Sequence, residues 1–383
     1  MTRPRSRPPS RSLLERLWQH PLPMRWWPLW AVLVPASALY SRALTLRARW
    51  WRTKSSSAGV PVISVGNLTV GGNGKTPFTV FLAAHLHARG LAVAIVSRGW
   101  GRTIDRGNPV LVSDGTRCLL SPREAGDEPV MMAKSFDGPI AVARRRIDAI
   151  ALLRERGHFD AFILDDGFQH LRLRRNLDLL LINAARGFGN GWVLPAGPLR
   201  EGRDALARAD AIVLIDSGAP GERAASAADL ALPAHLPIFH AALRPCALVR
   251  ADAARWHQCP LALSGRRVVA VSGLADPAGF HAMLHELGAT IAATFDFPDH
   301  HDYTPHDFEN VLSAAAGADL IVTTEKDLVK LEVFPAPGVS LYALRLEVAM
   351  DPGDETRLFD LVAARIRSAG AAASPRATDG SLN

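Results

Sequence analysis

Cysteine is scarce in this chain, which has three cysteines in 383 residues. Cys118, Cys246 and Cys259 lie far apart in the sequence, and no two of them form a C-x-x-C pair. This spacing argues against a disulfide framework and against a cysteine-based zinc site. We therefore interpret the three side chains as free thiols in a reducing compartment, where they contribute only packing.

The folded body also lacks an excess of positive charge, although the whole chain has a net charge of +7. Residues 1–54 carry eleven Lys and Arg and one acid, Glu15, a net charge of +10. The rest of the chain has 33 basic and 36 acidic residues, a net charge of −3. A nucleic-acid enzyme usually carries its basic surface on the folded domains. The charge pattern therefore indicates that nucleic acid is not a partner.

Long uncharged runs are few, and the most prominent one extends over fifteen residues from Trp26 to Tyr40. A full membrane span needs roughly 20 apolar residues, and Arg42 interrupts this one. Tryptophan and arginine flank the run on both sides, which favours an anchor that lies in, or dips into, an anionic leaflet. A buried core helix is the alternative. A cleaved signal peptide is disfavoured, because the run starts late and no small-residue cleavage site stands out.

Downstream of this segment, apolar strands alternate with helical patterns. The predicted strands are 60–65, 91–96, 139–143, 160–165, 178–183 and 210–216, and the helices between them include 75–89, 123–134 and 144–156. This alternation predicts a mostly parallel sheet with helices on both faces. A Pro- and Ala-rich junction is expected at 217–262, and a second, smaller α/β series follows it and ends in a helix at 353–368.

The fold class predicted from these patterns is α/β, with a mostly parallel sheet like that of the P-loop NTPases and a membrane-associated N-terminal helix. We expect four segments along the chain. They are an anchoring segment at 1–54, a larger α/β domain at 55–250, a second α/β domain at 251–369 and a disordered tail at 370–383.

The most informative segment follows the first predicted strand and reads Gly71-Gly72-Asn73-Gly74-Lys75-Thr76-Pro77. A strand, a glycine-rich turn, Lys-Thr and a helix form the arrangement that binds a nucleotide phosphate. Lys75 is predicted to reach the β- and γ-phosphates, and Thr76 to ligate Mg²⁺. Thr69 occupies the position of the first glycine in the strict pattern. An ordinary glycine turn is the alternative.

Three further groups of polar residues are candidates for the chemistry. Asp165 and Asp166 end a predicted strand, where a carboxylate can hold Mg²⁺ opposite the loop threonine, although a simple turn is possible. Asp127 precedes a helical stretch and is either a helix cap or a general base for a hydroxyl group. His300 and His301 lie in an Asp-His-His-Asp segment that could be an exposed loop, a metal ligand or a partner for a catalytic carboxylate. The Arg144–Arg146 run is interpreted as a solvated helix start.

Together these segments resemble the tetraacyldisaccharide 4′-kinases of lipid A synthesis. The matching motifs occur in the family's order over roughly residues 15–350, and they are Ser64–Pro77, Ser97–Arg102, Gly126–Pro129, Leu164–His170, Leu194–Glu201, Phe297–Thr304 and Thr323–Asp327. The Gly-Asn-Leu-Thr form of the loop, with Thr69, is itself similar to the family's. Two positions depart from it: Trp100 stands where Tyr is frequent, and Gly202 where Pro is common.

The resemblance implies an ATP-dependent lipid kinase that transfers the γ-phosphate of ATP to the 4′-hydroxyl of a tetraacyldisaccharide 1-phosphate. It identifies the segment 55–250 as a P-loop kinase domain. It implies a protein of the bacterial inner membrane, attached peripherally or by its N-terminus, with the active site facing the cytoplasm. The implied cofactors are ATP and Mg²⁺. A membrane-associated P-loop nucleotidase or switch protein is the alternative function.

The resemblance also carries residue roles onto matching positions. The nucleotide would be bound by residues 71–77, with Lys75 also catalytic, and the metal by Thr76, Asp165 and Asp166. Asp127 would be the general base, supported by His300 or His301, of which His300 is slightly favoured. Weaker candidates are Glu128, Gln169 and Glu201.

Overall fold

The computed structural model describes residue 18 and the ranges 27–72, 74–104, 107–217, 224–252 and 255–373. Asn73 of the predicted nucleotide loop lies outside the described residues. So do most of the N-terminal segment before residue 27 and the part of the expected tail from 374 onward.

The first described helix, α1, comprises the 28 residues Trp27–Lys54 and continues through Arg42, where the apolar run is interrupted. Among the described residues it is the one helix long and apolar enough to cross a membrane by length and composition, with a mean hydropathy of 1.3. It contacts the body at separate points. The Ser37 hydroxyl donates to the carbonyl of Val193 at 2.6 Å, and Arg47 donates to the carbonyl of Gln169 at 2.7 Å.

The N-terminal half of the body alternates strands and helices as predicted. Its elements are β1 (Val62–Asn67), α2 (Lys75–Ala88), β2 (Val93–Ser97), β3 (Val110–Asp114), α3 (Pro122–Ala125), α4 (Asp127–Ser135), β4 (Pro139–Val142), α5 (Arg146–Arg154), β5 (Ala161–Asp165), β6 (Leu177–Asn183), a 3₁₀ helix (Arg203–Arg208) and β7 (Ala211–Asp216). Strands β1, β5 and β6 are buried along their whole length, as a parallel sheet covered on both faces requires.

The C-terminal half repeats the alternation with shorter connections. Its elements are β8 (Ile238–Asp252), β9 (Arg255–Cys259), β10 (Arg267–Ser272), α6 (Ala278–Glu286), β11 (Thr290–Asp296), α7 (Pro305–Ala314), β12 (Leu320–Thr324), α8 (Glu325–Leu331), β13 (Ser340–Met350) and α9 (Pro352–Ala373). Helix α9 includes the first four residues of the expected disordered tail, where Ala371–Ala373 are good helix formers.

All thirteen strands of the described residues form one sheet, in the order β11-β10-β12-β13-β8-β7-β6-β1-β5-β2-β4-β3, with β9 paired to β8. The pairs β3–β4, β8–β13 and β8–β9 are antiparallel, and the other pairs are parallel. The predicted α/β class with a mostly parallel sheet is therefore confirmed.

The expected junction at 217–262 differs most from the structure, because it contains the long strand β8 and the strand β9. Pro245 interrupts the apolar pattern of β8, so the sequence pattern does not predict this strand. Its backbone pairs with Leu346 of β13 where the register shifts, at the kind of irregularity that admits proline in a sheet. The domain boundary expected after residue 250 falls inside this strand.

The single helix predicted at 123–134 is divided in two at Gly126. Gly126 has φ 98° and ψ 153°, a conformation that is nearly exclusive to glycine, and it ends α3 and precedes α4. A Cβ at this position would also collide with the carbonyl oxygen of Trp100. The break places Asp127 in the first turn of α4 instead of in the middle of a longer helix.

Candidate active site

The nucleotide loop lies where the sequence predicts it, between β1 and α2. Gly74 adopts φ 66° directly before Lys75, the first residue of α2, so the backbone turns into the helix at this glycine. Strand β5 runs parallel to β1, and Val65 is opposite Asp165. The carboxyl ends of both strands therefore meet at one edge of the sheet, the usual ligand-binding edge of open α/β sheets.

Lys75 connects the loop to the acidic pair. Its Nζ donates to Oδ1 of Asn67 at 3.1 Å and lies 3.6 Å from Oδ1 of Asp166. Arg200 donates to both oxygens of Asp166, at 3.0 and 2.8 Å. Burial alone would raise the pKa of Asp166, but the charges of Lys75 and Arg200 lower it below its usual value. The Asp166 backbone has φ 48°, an uncommon conformation outside glycine.

Asp165 is the more deeply buried of the two acids. The hydroxyls of Ser97 and Thr79 donate to its oxygens at 3.1 and 3.3 Å. Burial raises the pKa of Asp165, and the negative charges of Glu128 and Asp166 raise it further. A cation near Asp165 would offset the repulsion from Glu128 and Asp166.

This donor set fits magnesium. Thr76, at the start of α2, has a hydroxyl group, and Asp165 and Asp166, at the end of β5, have carboxylates. Mg²⁺ prefers oxygen ligands, and it is usually held by one or two carboxylates together with phosphates of the nucleotide. Within the described ranges, no group of three or more His, Cys, Asp or Glu side chains is placed to hold a metal ion.

Asp127 and His300 come together from the two halves of the sheet. Nδ1 of His300 lies 3.3 Å from Oδ2 of Asp127, and Nζ of Lys330 lies 3.2 Å from the same oxygen. Burial opposes ionisation of Asp127, but the hydrogen bond from His300 and the charge of Lys330 outweigh it and lower the pKa of Asp127. The His300 backbone has φ 62°, so it is held in an uncommon conformation beside the carboxylate.

The two adjacent histidines have different partners. Nε2 of His301 lies 3.1 Å from Oδ2 of Asp307, the acid that forms the capping box of α7 with Thr304. His301 therefore supports a helix terminus, whereas His300 contacts Asp127. Of the two histidines, His300 is the one in contact with the predicted base, Asp127.

Several residues near the site were not predicted from the sequence. Arg146, expected in a solvated helix start, is buried at the beginning of α5. Burial lowers its pKa, and the charges of Asp165 and Asp166 oppose that effect. Its position after the apolar strand β4, at the same edge as Asp165, is the signal that could have identified it. Arg200 and Lys330 lie in or near quoted motifs, but nothing in their local sequence indicates their partners.

The weaker candidates lie around this centre. Gln169 donates to the carbonyl of Asn67 at 2.9 Å, and Glu201 pairs with Arg208 at 2.9 Å below α1. Trp100 is exposed on its loop, with the Arg98 guanidinium 5.2 Å from its ring centroid.

Comparison with known proteins agrees with this geometry. Residues 29–367 match the family described as tetraacyldisaccharide-1-P 4′-kinase. The tetraacyldisaccharide 4′-kinase of Geobacter metallireducens is 45% identical over 328 residues, which cover 83% of this chain and 92% of that protein. That of Geobacter sulfurreducens is 42% identical, covering 87% and 94%. The structure of LpxK from Aquifex aeolicus, solved in complex with ATP, matches with a TM-score of 0.72 and 33% identity, covering 87% of this chain and 98% of that one.

Proposed function

Because this chain belongs to the tetraacyldisaccharide-1-P 4′-kinase family and is a kinase, we propose that it phosphorylates the 4′-hydroxyl of a tetraacyldisaccharide 1-phosphate with ATP, in lipid A biosynthesis. The observation that carries this proposal is the ionised carboxylate of Asp127, held between His300 and Lys330. A nucleotidase needs only water as acceptor, whereas a kinase needs a base placed for a substrate hydroxyl.

The nucleotide is bound by the loop at 71–77. When the nucleotide binds, the Lys75 side chain leaves Asn67 and Asp166 and contacts the β- and γ-phosphates. Arg200 continues to hold Asp166 through its hydrogen bonds. Positioning and charge stabilisation supply most of the catalysis in phosphoryl transfer. The deep burial of Asp165 and Thr76 fixes the geometry of this edge before substrate binds.

The chemical step is a transfer between two oxygens. The 4′-oxygen of the acceptor forms a bond to the γ-phosphorus, and the bond from that phosphorus to the β–γ bridging oxygen breaks, which releases ADP. Asp127 accepts the proton of the acceptor hydroxyl, and the Nδ1–H of His300 stabilises and orients the carboxylate.

Magnesium fits the oxygen ligands at this edge, namely Thr76, Asp165 and Asp166. When bound there, the ion would neutralise negative charge that develops on the β- and γ-phosphates. The raised pKa of Asp165, produced by burial, Glu128 and Asp166, supports this assignment, because a divalent cation relieves the repulsion.

Helix α1 attaches the protein to the cytoplasmic face of the bacterial inner membrane, where a lipid acceptor is available. Its large apolar side chains are exposed, and they include Trp27, Val32, Leu39, Leu46 and Trp50. Its last turn carries Arg52 and Lys54, which suit anionic headgroups. The helix lies in the leaflet or extends into it, and either arrangement brings the acceptor to the body.

A cavity of about 480 Å³ lies between α1 and the 3₁₀ helix. Leu44, Ala48, Arg49 and Arg52 of α1 line one side of it, and Arg208 lines the other together with the acids Glu201 and Asp204. Because Arg208 is paired with Glu201, the arginines left to bind a phosphate are Arg49 and Arg52, beside apolar groups that suit an acyl chain. The cavity is therefore where we place part of the acceptor.

The test is a direct assay with a defined acceptor. Full-length protein in detergent is incubated with γ-labelled ATP, Mg²⁺ and tetraacyldisaccharide 1-phosphate, and labelled lipid and free phosphate are measured separately. We expect labelled lipid, and a loss of about 10²–10⁴-fold in its rate for Asp127→Asn. Release of phosphate without labelled lipid would instead establish a nucleotidase or switch protein.

A further inference from the structure

Helix α8 carries the end of the Thr323–Asp327 motif, to which neither the sequence nor the proposed reaction assigns a role. We propose that Lys326 and Lys330 of this helix are positioning residues for the base, Lys330 by holding the Asp127 carboxylate and Lys326 by selecting the tautomer of His300. The inference rests on the proposed function, because it assigns these residues to the same phosphoryl transfer.

Lys330 is almost fully buried, and its ammonium group is surrounded by acceptors. Its Nζ lies 3.2 Å from Oδ2 of Asp127 and 3.7 Å from Oδ1 of Asp327, and it donates to the carbonyl of His301 at 2.9 Å. The Tyr303 ring lies on a further side, with its centroid 5.3 Å from Nζ. These contacts leave Lys330 little freedom, so the oxygen of Asp127 that it binds is also fixed.

The contact of Lys330 with Asp127 bears directly on catalysis. A general base must be ionised before it can accept a proton from the acceptor hydroxyl. Burial raises the pKa of Asp127, whereas His300 and Lys330 lower it below its usual value. Loss of Lys330 therefore shifts the balance toward the protonated, inactive carboxyl group.

Lys326 acts on Asp127 indirectly, through His300. Its Nζ lies 3.2 Å from Nε2 of His300. An ammonium group has only donors, so Nε2 must be the acceptor, and the ring proton is on Nδ1. Nδ1 lies 3.3 Å from Oδ2 of Asp127, where that proton is donated to the base. The opposite tautomer would direct a lone pair at the carboxylate.

Asp299 is the other charged group that faces His300. Its Oδ1 accepts from Lys326 at 2.5 Å, and its Oδ2 lies 3.8 Å from Nε2 of His300. Asp299 therefore holds Lys326 against the ring. The charged and titratable groups around the base are thus His300, Asp299, the two lysines and Asp327, which also contacts Lys330.

The helix that carries both lysines is firmly held. Its N-terminus is capped by Thr324, and Asp327 accepts the backbone N–H of Gly273 at 2.8 Å. Residues four apart lie on one helix face, so Lys326 and Lys330 project together toward the base. The buried side chains of Leu328 and Val329 fix the opposite side in the core.

Lys134 of α4 offers a matched control. Its Nζ lies 3.2 Å from Oε1 of Glu332, directly after α8, and its side chain is 10% exposed, against 9% for Lys330. Lys134→Met therefore removes an equally buried ion pair between the same two segments, without a contact to Asp127 or His300. If weaker packing of these two segments alone lowers kcat, kcat falls in Lys134→Met as well.

The experiment compares Lys330→Met, Lys326→Met and Lys134→Met with the full-length wild type, with kcat and KM measured against pH at saturating MgATP. For Lys330→Met we expect kcat to fall by at least about tenfold near neutral pH. The acidic limb of the plot of kcat against pH should move to higher pH, because Asp127 without Lys330 ionises only at higher pH. For Lys326→Met we expect a loss in kcat with little change in KM for the lipid acceptor, and partial recovery in Lys326→Arg. Lys134→Met should keep kcat within about twofold.

A spectroscopic readout independent of turnover completes the test. Protein with ¹⁵N-labelled histidine reports the tautomer of each ring, and His300→Ala assigns the signal of interest. We expect a single Nδ1–H tautomer in the wild type and a mixture in Lys326→Met. If the wild type phosphorylates the lipid but the two α8 variants match Lys134→Met, the inference is wrong and the kinase assignment stands. An unchanged tautomer in Lys326→Met overturns the role of Lys326, whether or not the protein proves to be a kinase.

Discussion

Gly126 separates α3 from α4, and its replacement by alanine tests whether this break places the base. The φ/ψ pair of Gly126 costs a non-glycine residue about 1–3 kcal/mol. The collision of the new Cβ with the backbone oxygen of Trp100 adds about 1–3 kcal/mol, as overpacking does elsewhere. We therefore expect Gly126→Ala to lower the free energy of unfolding by about 2–6 kcal/mol.

The expected effects follow from these magnitudes. With an unfolding entropy of about 2.1 cal/mol/K per residue, this loss of unfolding free energy lowers Tm by about 3–8 °C. Any backbone shift that relieves the collision also moves Asp127, the next residue, and a 1 Å error in placement costs about 10²-fold in rate. The assay is thermal unfolding by circular dichroism, with kcat measured well below the transition.

Gly90→Ala is the matched control, because Gly90 has φ 83° but open space where a Cβ would stand. It isolates the backbone strain, about 1–2 kcal/mol, from the collision. The reasoning is refuted if Gly126→Ala unfolds at the same temperature as Gly90→Ala and retains wild-type kcat.

Three further predictions concern the proposed base Asp127, the contact of Arg200 with Asp166, and helix α1. His300→Ala should lower kcat by at least about tenfold and His301→Ala by less than about threefold, because only His300 contacts Asp127; equal losses in a steady-state assay would contradict this. Arg200→Lys should lower kcat by about tenfold, because the shorter side chain with its ammonium group does not reproduce the two hydrogen bonds from Nη1 to Asp166, whereas Arg203→Lys, which loses contacts to backbone carbonyls, should not; a wild-type rate for Arg200→Lys would refute the role. Leu39→Asp should reduce co-sedimentation with anionic vesicles without lowering Tm, since Leu39 is exposed on α1; unchanged binding would exclude this face as the contact.

Much of the fold is readable from the sequence, because the central strands are continuous apolar runs. Strands β1, β5 and β6 are buried on both faces and are short apolar runs of five to seven residues, a length that favours strands over helices. Strand β8 could not be read in the same way, since Pro245 interrupts it. The division of the helix at Gly126 could not be predicted, because glycine permits a positive φ value but does not require one.

The site was predictable where chemistry and local structure coincide. Lys75 and Thr76 sit in a strand–turn–helix pattern, and Asp165 ends a strand that pairs with β1, so their proximity follows from parallel topology. The Asp127–His300 contact joins residues 173 positions apart and was implied only by resemblance. The partners of Lys326 and Lys330 depend on how the two halves meet, which no local pattern encodes.

The two halves of the body share a strand, and this limits how they can move. Strand β8 pairs with β7 through Ile238–Ala242 and with β13 through Ala241–Val249, so Ala241 and Ala242 belong to both ladders at once. A cut before β8 would expose the open edge of β7, and a cut after it would expose that of β13. Any relative rotation of the two halves must therefore bend or twist a continuous sheet, and the backbone hydrogen bonds of that sheet resist it. A loop hinge would offer no such resistance.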